Sequence, residues 1–369
     1  MLYYFFEYIN KVFNPPGFRV FRYLTFRSAL AAISALILSL YLGPRLIKLL
    51  QKKQIGEAKK IDGPKSHWSK AGTPTMGGII LIFSVVVPVL LWADIESIYI
   101  ILILVGTIWL SAVGFLDDYL KVIKKFPNGL IARYKLLGQV IIGLLVGIVI
   151  YFSPEFSGVH TLTTFPFLKN VNFDFSFMYI PAVIFIVAAT SNAVNLTDGL
   201  DGLAIGVTII VMLALAVISY VTGNAIYANY LNIIYLPGSG ELTVFIAALI
   251  GASLGFLWFN TYPAQVFMGD TGSLALGGAF GILSVLIKKE LLIPILGGVF
   301  FMETISVIIQ RLYFKYTKKK YGEGRRVFKM APVHHHFEML GWPEPKIVVR
   351  FYIIAIILAI ISLASFKVR

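Results

Sequence analysis

Stretches of apolar residues long enough to cross a lipid bilayer recur ten times along the chain, and no other feature limits its fold as severely. A helix needs roughly 17 to 22 such residues to traverse the hydrocarbon core. The runs lie near 24–44, 76–93, 97–116, 135–152, 178–194, 203–221, 241–259, 273–288, 291–312 and 348–366. Inside a bilayer every backbone amide must be satisfied within its own segment, so runs of this length predict helices. Hydrophobic residues make up 58% of the chain and charged residues 14%, too apolar a mixture for a water-soluble core. The expected fold is an all-α polytopic membrane protein, with residues 1–369 forming one integral membrane domain. The connection 153–177, rich in Phe, Thr and Ser and holding Pro154 and Pro166, is different. It predicts a small hairpin on the membrane surface.

Cysteine is absent, which removes disulfides, thiolate metal sites and a cysteine nucleophile. The net charge of +14 would suggest a nucleic-acid partner in a soluble protein. Here its distribution reports topology instead, and no nucleic acid is expected. Connections one (45–75), three (117–135) and nine (311–350) carry eight, five and ten Lys or Arg. The even-numbered connections together hold Lys169, Lys288 and Lys289. Odd connections are therefore expected in the cytoplasm and both termini on the periplasmic side. Lys11, Arg19, Arg22 and Arg27 oppose this weakly. The aromatic N-terminus "MLYYFFEYINKVF" lacks the basic start of a signal peptide.

That topology puts five aspartates on one membrane face. Asp117 and Asp118 lie in "GFLDDYLK", Asp198 and Asp201 in "NAVNLTDGLDG", and Asp270 in "FMGDTGS". Carboxylates beside hydrocarbon are costly and call for a purpose. On a helix Asp117 and Asp118 project about 100° apart and cannot share one task. The plain alternative is a pair of solvated helix-end residues, but two acids there would oppose the helix dipole. Asp198 and Asp201 share a face if their turn is helical. Alternatively Thr197 or Asp198 caps a helix starting near 199. A calcium loop does not fit, because the twelfth position from Asp198 is Ile209. Asp270 could cap the eighth span, a role compatible with function. Asn192 and Asn195 add amides suited to a base or a sugar.

Oxygen ligands without cysteine suit a hard cation, Mg²⁺ or Mn²⁺, whose shell is usually completed by water and substrate phosphate. Lysines and arginines on the neighbouring connections would hold further phosphate. This combination points to phosphoryl transfer. The motif "APVHHHFE", 331–338, sends three histidines in three directions if helical, so they do not form one tridentate metal site. In "KAGTPTMGG", 70–78, Lys70 and Thr75 are polar at the mouth of a span, while Gly77 and Gly78 permit close packing. Neither a GxxxxGK[ST] loop nor a GxGxxG turn occurs, so a nucleotide would be bound by other means.

"TPTMGG", "GFLDDYLK", "NAVNLTDGLDGLA", "FMGDTGSL" and "APVHHHFE…GWPEPKIVVRF" follow one another over nearly the whole chain. In this order they resemble the phospho-N-acetylmuramoyl-pentapeptide transferase family, a branch of the polyprenyl-phosphate N-acetylhexosamine 1-phosphate transferases. The resemblance implies ten helices, a cytoplasmic-side cleft and a bent ninth helix followed by an amphipathic stretch. It also implies a homodimer in the bacterial inner membrane. It implies reaction of UDP-MurNAc-pentapeptide with undecaprenyl phosphate, giving lipid I and UMP, with Mg²⁺ as cofactor.

Carried over by motif, Asp270 is the principal metal ligand and Asp117 the base for the lipid phosphate, with Asp118 and Asp198 near metal or diphosphate. Metal ligation is expected of Asp270, Asp117 and Asp118. Lys70, Asn260, Phe267 and Asp201 match a uridine pocket walled by Leu196 and Gly199. Thr75, Asn192, Asn195 and Gly269 line the cleft. His334 and His335 are expected at the phosphate or sugar, with His336 beside them. Lys121 and Lys125 are candidates for phosphate. Three other readings compete: a GlcNAc-1-phosphate transferase of the same superfamily, a transporter using Glu303 as its within-span acid, and a scaffold for wall synthesis.

Overall fold

A computed structural model describes residues 1–52, 72–126, 129–168 and 171–367. Lys70 lies outside the described residues. The chain is helical almost throughout. Its elements are α1 (Leu2–Phe13), α2 (Leu24–Lys52), α3 (Gly78–Trp92), α4 (Ile98–Asp118) and α5 (Ala132–Phe152), then strands β1 (Leu162–Thr164) and β2 (Asn172–Asp174). There follow α6 (Tyr179–Thr197), α7 (Leu203–Thr222), α8 (Ala225–Tyr230), α9 (Leu242–Asn260) and α10 (Gly269–Leu286). The last are α11 (Ile293–Leu296), α12 (Gly298–Tyr321), α13 (Val333–Glu338) and α14 (Glu344–Ala364).

All ten apolar runs become helix. Among the described residues eight helices are long and apolar enough to cross a membrane: α2, α4, α5, α6, α7, α9, α10 and α14. A ninth apolar stretch is broken: α11 and α12 meet at Gly297 with a bend of 81°. The tenth, α3, has only 15 residues, about 22 Å of helix. Its run is shortened because residues 74–78 are held in a loop by backbone bonds to Phe267 and Met268.

Successive helices alternate in direction. The C-terminal ends of α4, α6 and α9 therefore gather with the N-terminal ends of α3, α5, α7, α10 and α14. At the centre lies α10, 89% of whose membrane window is buried, packed between α4 and α6. Small residues make this possible: a Cβ on Gly114 of α4 would stand 2.1 Å from the carbonyl oxygen of Asp270. Only glycine lets the two backbones approach so closely.

The other end of the bundle is tied by polar groups. Arg27 forks onto Glu241 with bonds of 2.9 and 2.5 Å. Tyr4 of α1, an aromatic helix outside the ten runs, donates to Asp94 at 2.6 Å. The surface hairpin is present, with β1 and β2 antiparallel and Thr163 opposite Phe173. Beneath it are Lys288 and Lys289, both buried. Lys288 Nζ donates to the His160 carbonyl and the Tyr179 hydroxyl, each at 2.7 Å, and Lys289 Nζ donates to Thr164 Oγ1 at 2.9 Å. Long cationic side chains are thus consumed as hydrogen-bond donors that pin the hairpin to the bundle.

Candidate active site

Three carboxylates converge where α4 ends and α10 begins. Ligand oxygens of Asp117, Asp118 and Asp270 all lie within 4.8 Å of one another. Two lysines neutralise them. Lys135, in the first turn of α5, places Nζ 2.8 Å from Asp117 Oδ2 and 2.5 Å from Asp270 Oδ2. Lys121 pairs with Asp117 one helical turn away and lies 3.5 Å from Asp270. Asp117 is fully buried and also accepts from the Leu130 amide at 2.7 Å. Asn195 of α6 donates to Asp270 Oδ1 at 2.9 Å and to Ser273 Oγ at 2.8 Å.

The adjacent aspartates do separate work, as their angular offset requires. Asp118 turns to the start of α10. It accepts from the Asp270 amide at 3.1 Å and the Thr271 amide at 2.9 Å, and from Thr271 Oγ1 at 2.6 Å. A helix start leaves its first amides without internal partners, and a carboxylate from a neighbouring helix satisfies them here. Asp270 itself does not cap the span: it occupies the first turn, with its carboxylate turned to the lysines. Asp118 stands within metal-ligating distance while already holding three hydrogen bonds.

The second acidic motif opens up. The turn after α6 is not helical, because Gly202 takes φ +81° and α7 starts only at Leu203. Asp198 and Asp201 therefore part company. Asp198 ends α6 half-buried, whereas Asp201 is buried and accepts from the Ala264 amide at 2.9 Å. Neither Thr197 nor Asp198 caps α7, and Thr197 Oγ1 instead donates back to the Ala193 carbonyl at 2.8 Å. Asn260, also buried, accepts from the Gly202 amide at 3.1 Å and donates to the Val266 carbonyl at 2.8 Å. Phe267 is half-buried beside it. Its backbone bonds to Pro74 and Gly77, at 2.8 Å each, hold the loop that carries Thr75 alongside Phe267. Leu196 is half-buried in the last turn of α6, and Asn192 is exposed one turn earlier.

The histidines do point three ways. His334 is fully buried, with Nδ1 3.1 Å from Glu303 Oε2. Its ring also fills the space over Gly199, where a Cβ would stand 2.3 Å from Nε2. His335 Nδ1 lies 2.7 Å from Glu338, and His336 Nδ1 accepts from the Lys329 amide at 3.1 Å. Lys125 is exposed at φ +55° and makes no ion pair with the carboxylates.

Several residues outside the sequence expectation belong to the site. Lys135 counted only as a topological charge. Its spacing of one helical turn from Ile131, at the helix entry, carries no sign that it meets two acids from other helices. Glu344 of "GWPEP" accepts from the Asp201 amide at 2.6 Å, and Tyr352 donates to the Gly202 carbonyl at 2.7 Å. Glu303, isolated in an apolar helix, did carry a signal: an unpaired acid there needs a partner.

A carboxylate–lysine cluster at the helix ends of a multi-pass bundle suits transfer of a phosphorylated group. Residues 100–288 match the family model of glycosyl transferase family 4, which places the chain in that class. Residues 70–82 match the phospho-N-acetylmuramoyl-pentapeptide-transferase signature 1. Proteins named phospho-N-acetylmuramoyl-pentapeptide-transferase from Chloroherpeton thalassium and Chlorobium limicola are each 52% identical over 369 residues, covering both chains completely. One from Flavobacterium psychrophilum is 48% identical, again over the whole of both chains. The chain belongs to the phospho-N-acetylmuramoyl-pentapeptide-transferase family.

Proposed function

We propose that the chain transfers phospho-N-acetylmuramoyl-pentapeptide from its UDP-linked donor to undecaprenyl phosphate, releasing UMP. The reaction takes place at the cytoplasmic face of the bacterial inner membrane with Mg²⁺ as cofactor. The observation that carries this reading is the Asp117–Lys135–Asp270 cluster, set at the helix ends of a membrane bundle of this family.

The donor set fits the metal: carboxylate oxygens only, close together. Asp117 and Asp270 would hold Mg²⁺, with Asp118 adjoining while it keeps the first turn of α10 in place. Held by these residues, the ion would neutralise diphosphate charge and make the β-phosphorus more electrophilic.

The protein's own groups do the rest. Lys121 and Lys135 exchange their carboxylate partners for phosphate oxygens. Asp117 is then released to take a proton from the lipid phosphate, whose second pKa is near 6. An oxygen of that phosphate bonds to the β-phosphorus of the donor. The bridging P–O bond breaks, and its electron pair leaves on UMP. This direct displacement gives sequential kinetics, and UMP exchange into donor without lipid acceptor would contradict it. Phe267 offers a ring face to uracil, and Asp201 and Asn260 fix the loop around it. Of the three histidines, His334 is sealed from solvent and acts by holding Gly199 in position. An apolar groove of about 560 Å³ beside the α12 bend, lined by Phe301, Met302, Ile305 and Ile309 among others, suits a polyprenyl chain. Glu303 favours no transport path, since it is paired with His334.

The test is UMP release by the detergent-purified protein from UDP-MurNAc-pentapeptide plus undecaprenyl phosphate, with Mg²⁺ and with EDTA, beside the same assay with UDP-GlcNAc. Mg²⁺-dependent release with the muramoyl donor alone is expected. Release with UDP-GlcNAc alone would move the chain to the sister reaction, and no release with either would reject both.

A further inference from the structure

One helical turn from the carboxylates, α5 and α6 form a second polar rung. Lys135 and Gln139 share a face of α5, and Asn195 and Asn192 share a face of α6. Lys135 and Asn195 both reach Asp270. Gln139, fully buried, meets Asn192.

The direction of each hydrogen bond in this rung follows from one end of the chain. The Leu274 carbonyl can only accept, and Ser191 Oγ gives it its single proton at 3.1 Å. Ser191 must therefore accept from Gln139, which presents Nε2 to it at 3.3 Å. That leaves Gln139 Oε1 for Asn192, which must answer with Nδ2 at 2.8 Å. The second amide proton of Asn192 goes to the Ala188 carbonyl at 2.8 Å, another pure acceptor. Both Asn192 donors are consumed. Its Oδ1 is its only side-chain polar atom without a partner among the described residues, and the side chain is exposed. A carbonyl in that position facing hydrocarbon would be costly. It shares its helix face with Asn195 and hence with the site.

We infer that Asn192 is a binding residue for a hydrogen-bond donor of the transferred hexosamine, an acetamido N–H or a hydroxyl, and that Gln139 is its positioning residue. Phosphate oxygens accept, as Oδ1 does, so neither the diphosphate nor the polyprenyl phosphate satisfies it. The UDP-linked hexosamine carries such donors. This inference rests on the transferase reading, so the wild-type Mg²⁺-dependent release of UMP is measured first and judges that reading separately.

The experiment is steady-state kinetics on Gln139→Met, Gln139→Glu, Asn192→Ala and the double variant Gln139→Met/Asn192→Ala. Gln139→Met frees the Asn192 amide to turn over, and the KM for the sugar nucleotide rises roughly five- to tenfold, the value of one hydrogen bond. The KM for polyprenyl phosphate stays put. Gln139→Glu remains close to wild type, because a buried neutral carboxyl donates O–H to Ser191 and still accepts from Asn192. Asn192→Ala matches Gln139→Met, and the double variant is no worse than either. A role in packing alone predicts the reverse order, with apolar Met tolerated and Glu harmful, and that order overturns the proposal. So does a shift confined to the polyprenyl-phosphate KM. Should Gln139→Met not fold, Asn192→Ala decides alone, because that side chain is exposed: an unchanged donor KM rejects the inference.

Discussion

Replacing Lys135 with Met should make the protein bind Mg²⁺ more tightly and work more slowly. Lys135 bridges Asp117 and Asp270, whose ligand oxygens lie within 4.8 Å. Two unit charges at that distance repel by about 3.5 kcal/mol at an effective dielectric constant of 20. Lys121 stays behind to offset part of this, leaving about 2 kcal/mol of net loss in metal-free protein. For a chain of this size that lowers the melting temperature by roughly 2 to 3 °C in EDTA. The same repulsion is relieved when a divalent cation replaces the lost ammonium, so Mg²⁺ affinity should rise roughly thirtyfold. Thermal melting in detergent across a Mg²⁺ titration reads both effects, because a ligand of the folded state raises its stability with concentration. In the same variant kcat should fall about a hundredfold or more, since the cation proposed to meet the diphosphate is gone. Equal Mg²⁺ shifts in wild type and variant would refute the reasoning, because Lys135 would then not compete with the ion.

Gly114→Ala forces a Cβ against the Asp270 carbonyl, and should cost about 2 kcal/mol or more of stability and nearly all UMP release, both read on one purified sample. Asp118→Ala removes the partner of two amides and a hydroxyl at the start of α10; a loss of about 3 kcal/mol is expected, and a melting curve like wild type would show that Asp118 is not a cap. Glu303→Ala and His334→Ala break one buried pair, so each should destabilise by about 3 kcal/mol while the double variant loses much less than their sum. Lys288→Met leaves the His160 carbonyl and Tyr179 hydroxyl without their donor, and hydrogen exchange should speed up in 160–164 and 172–174 while the carboxylate end stays protected.

Sequence and structure agree best where a single helix carries the information. Run length located every long apolar helix, and the i,i+1 offset separated Asp117 from Asp118. The motif order gathered Thr75, Asn195, Asn260, Phe267 and Asp270 at one end. The 15-residue α3 was not legible, because its start is set by backbone bonds to Phe267 and Met268, almost two hundred residues away. The helical turn at Asp198–Asp201 failed for a local reason, the two glycines, outweighed in the reading by three-residue spacing. Which lysine reaches an acid depends on where α5 begins, and the charge count treats Lys125 and Lys135 alike. Buried acceptors such as Glu344 acquire their meaning only from amides on distant segments.

The loop around Asp201 is held by Glu344 and Tyr352, which belong to the last helix of the chain. During synthesis every earlier piece of the pocket emerges first and waits. A chain released before its last 26 residues would own the carboxylates and the lysines, yet the loop around Asp201 would lack the two bonds that shape it. Incomplete chains of this protein should therefore insert without gaining the power to draw on the cell's activated sugars.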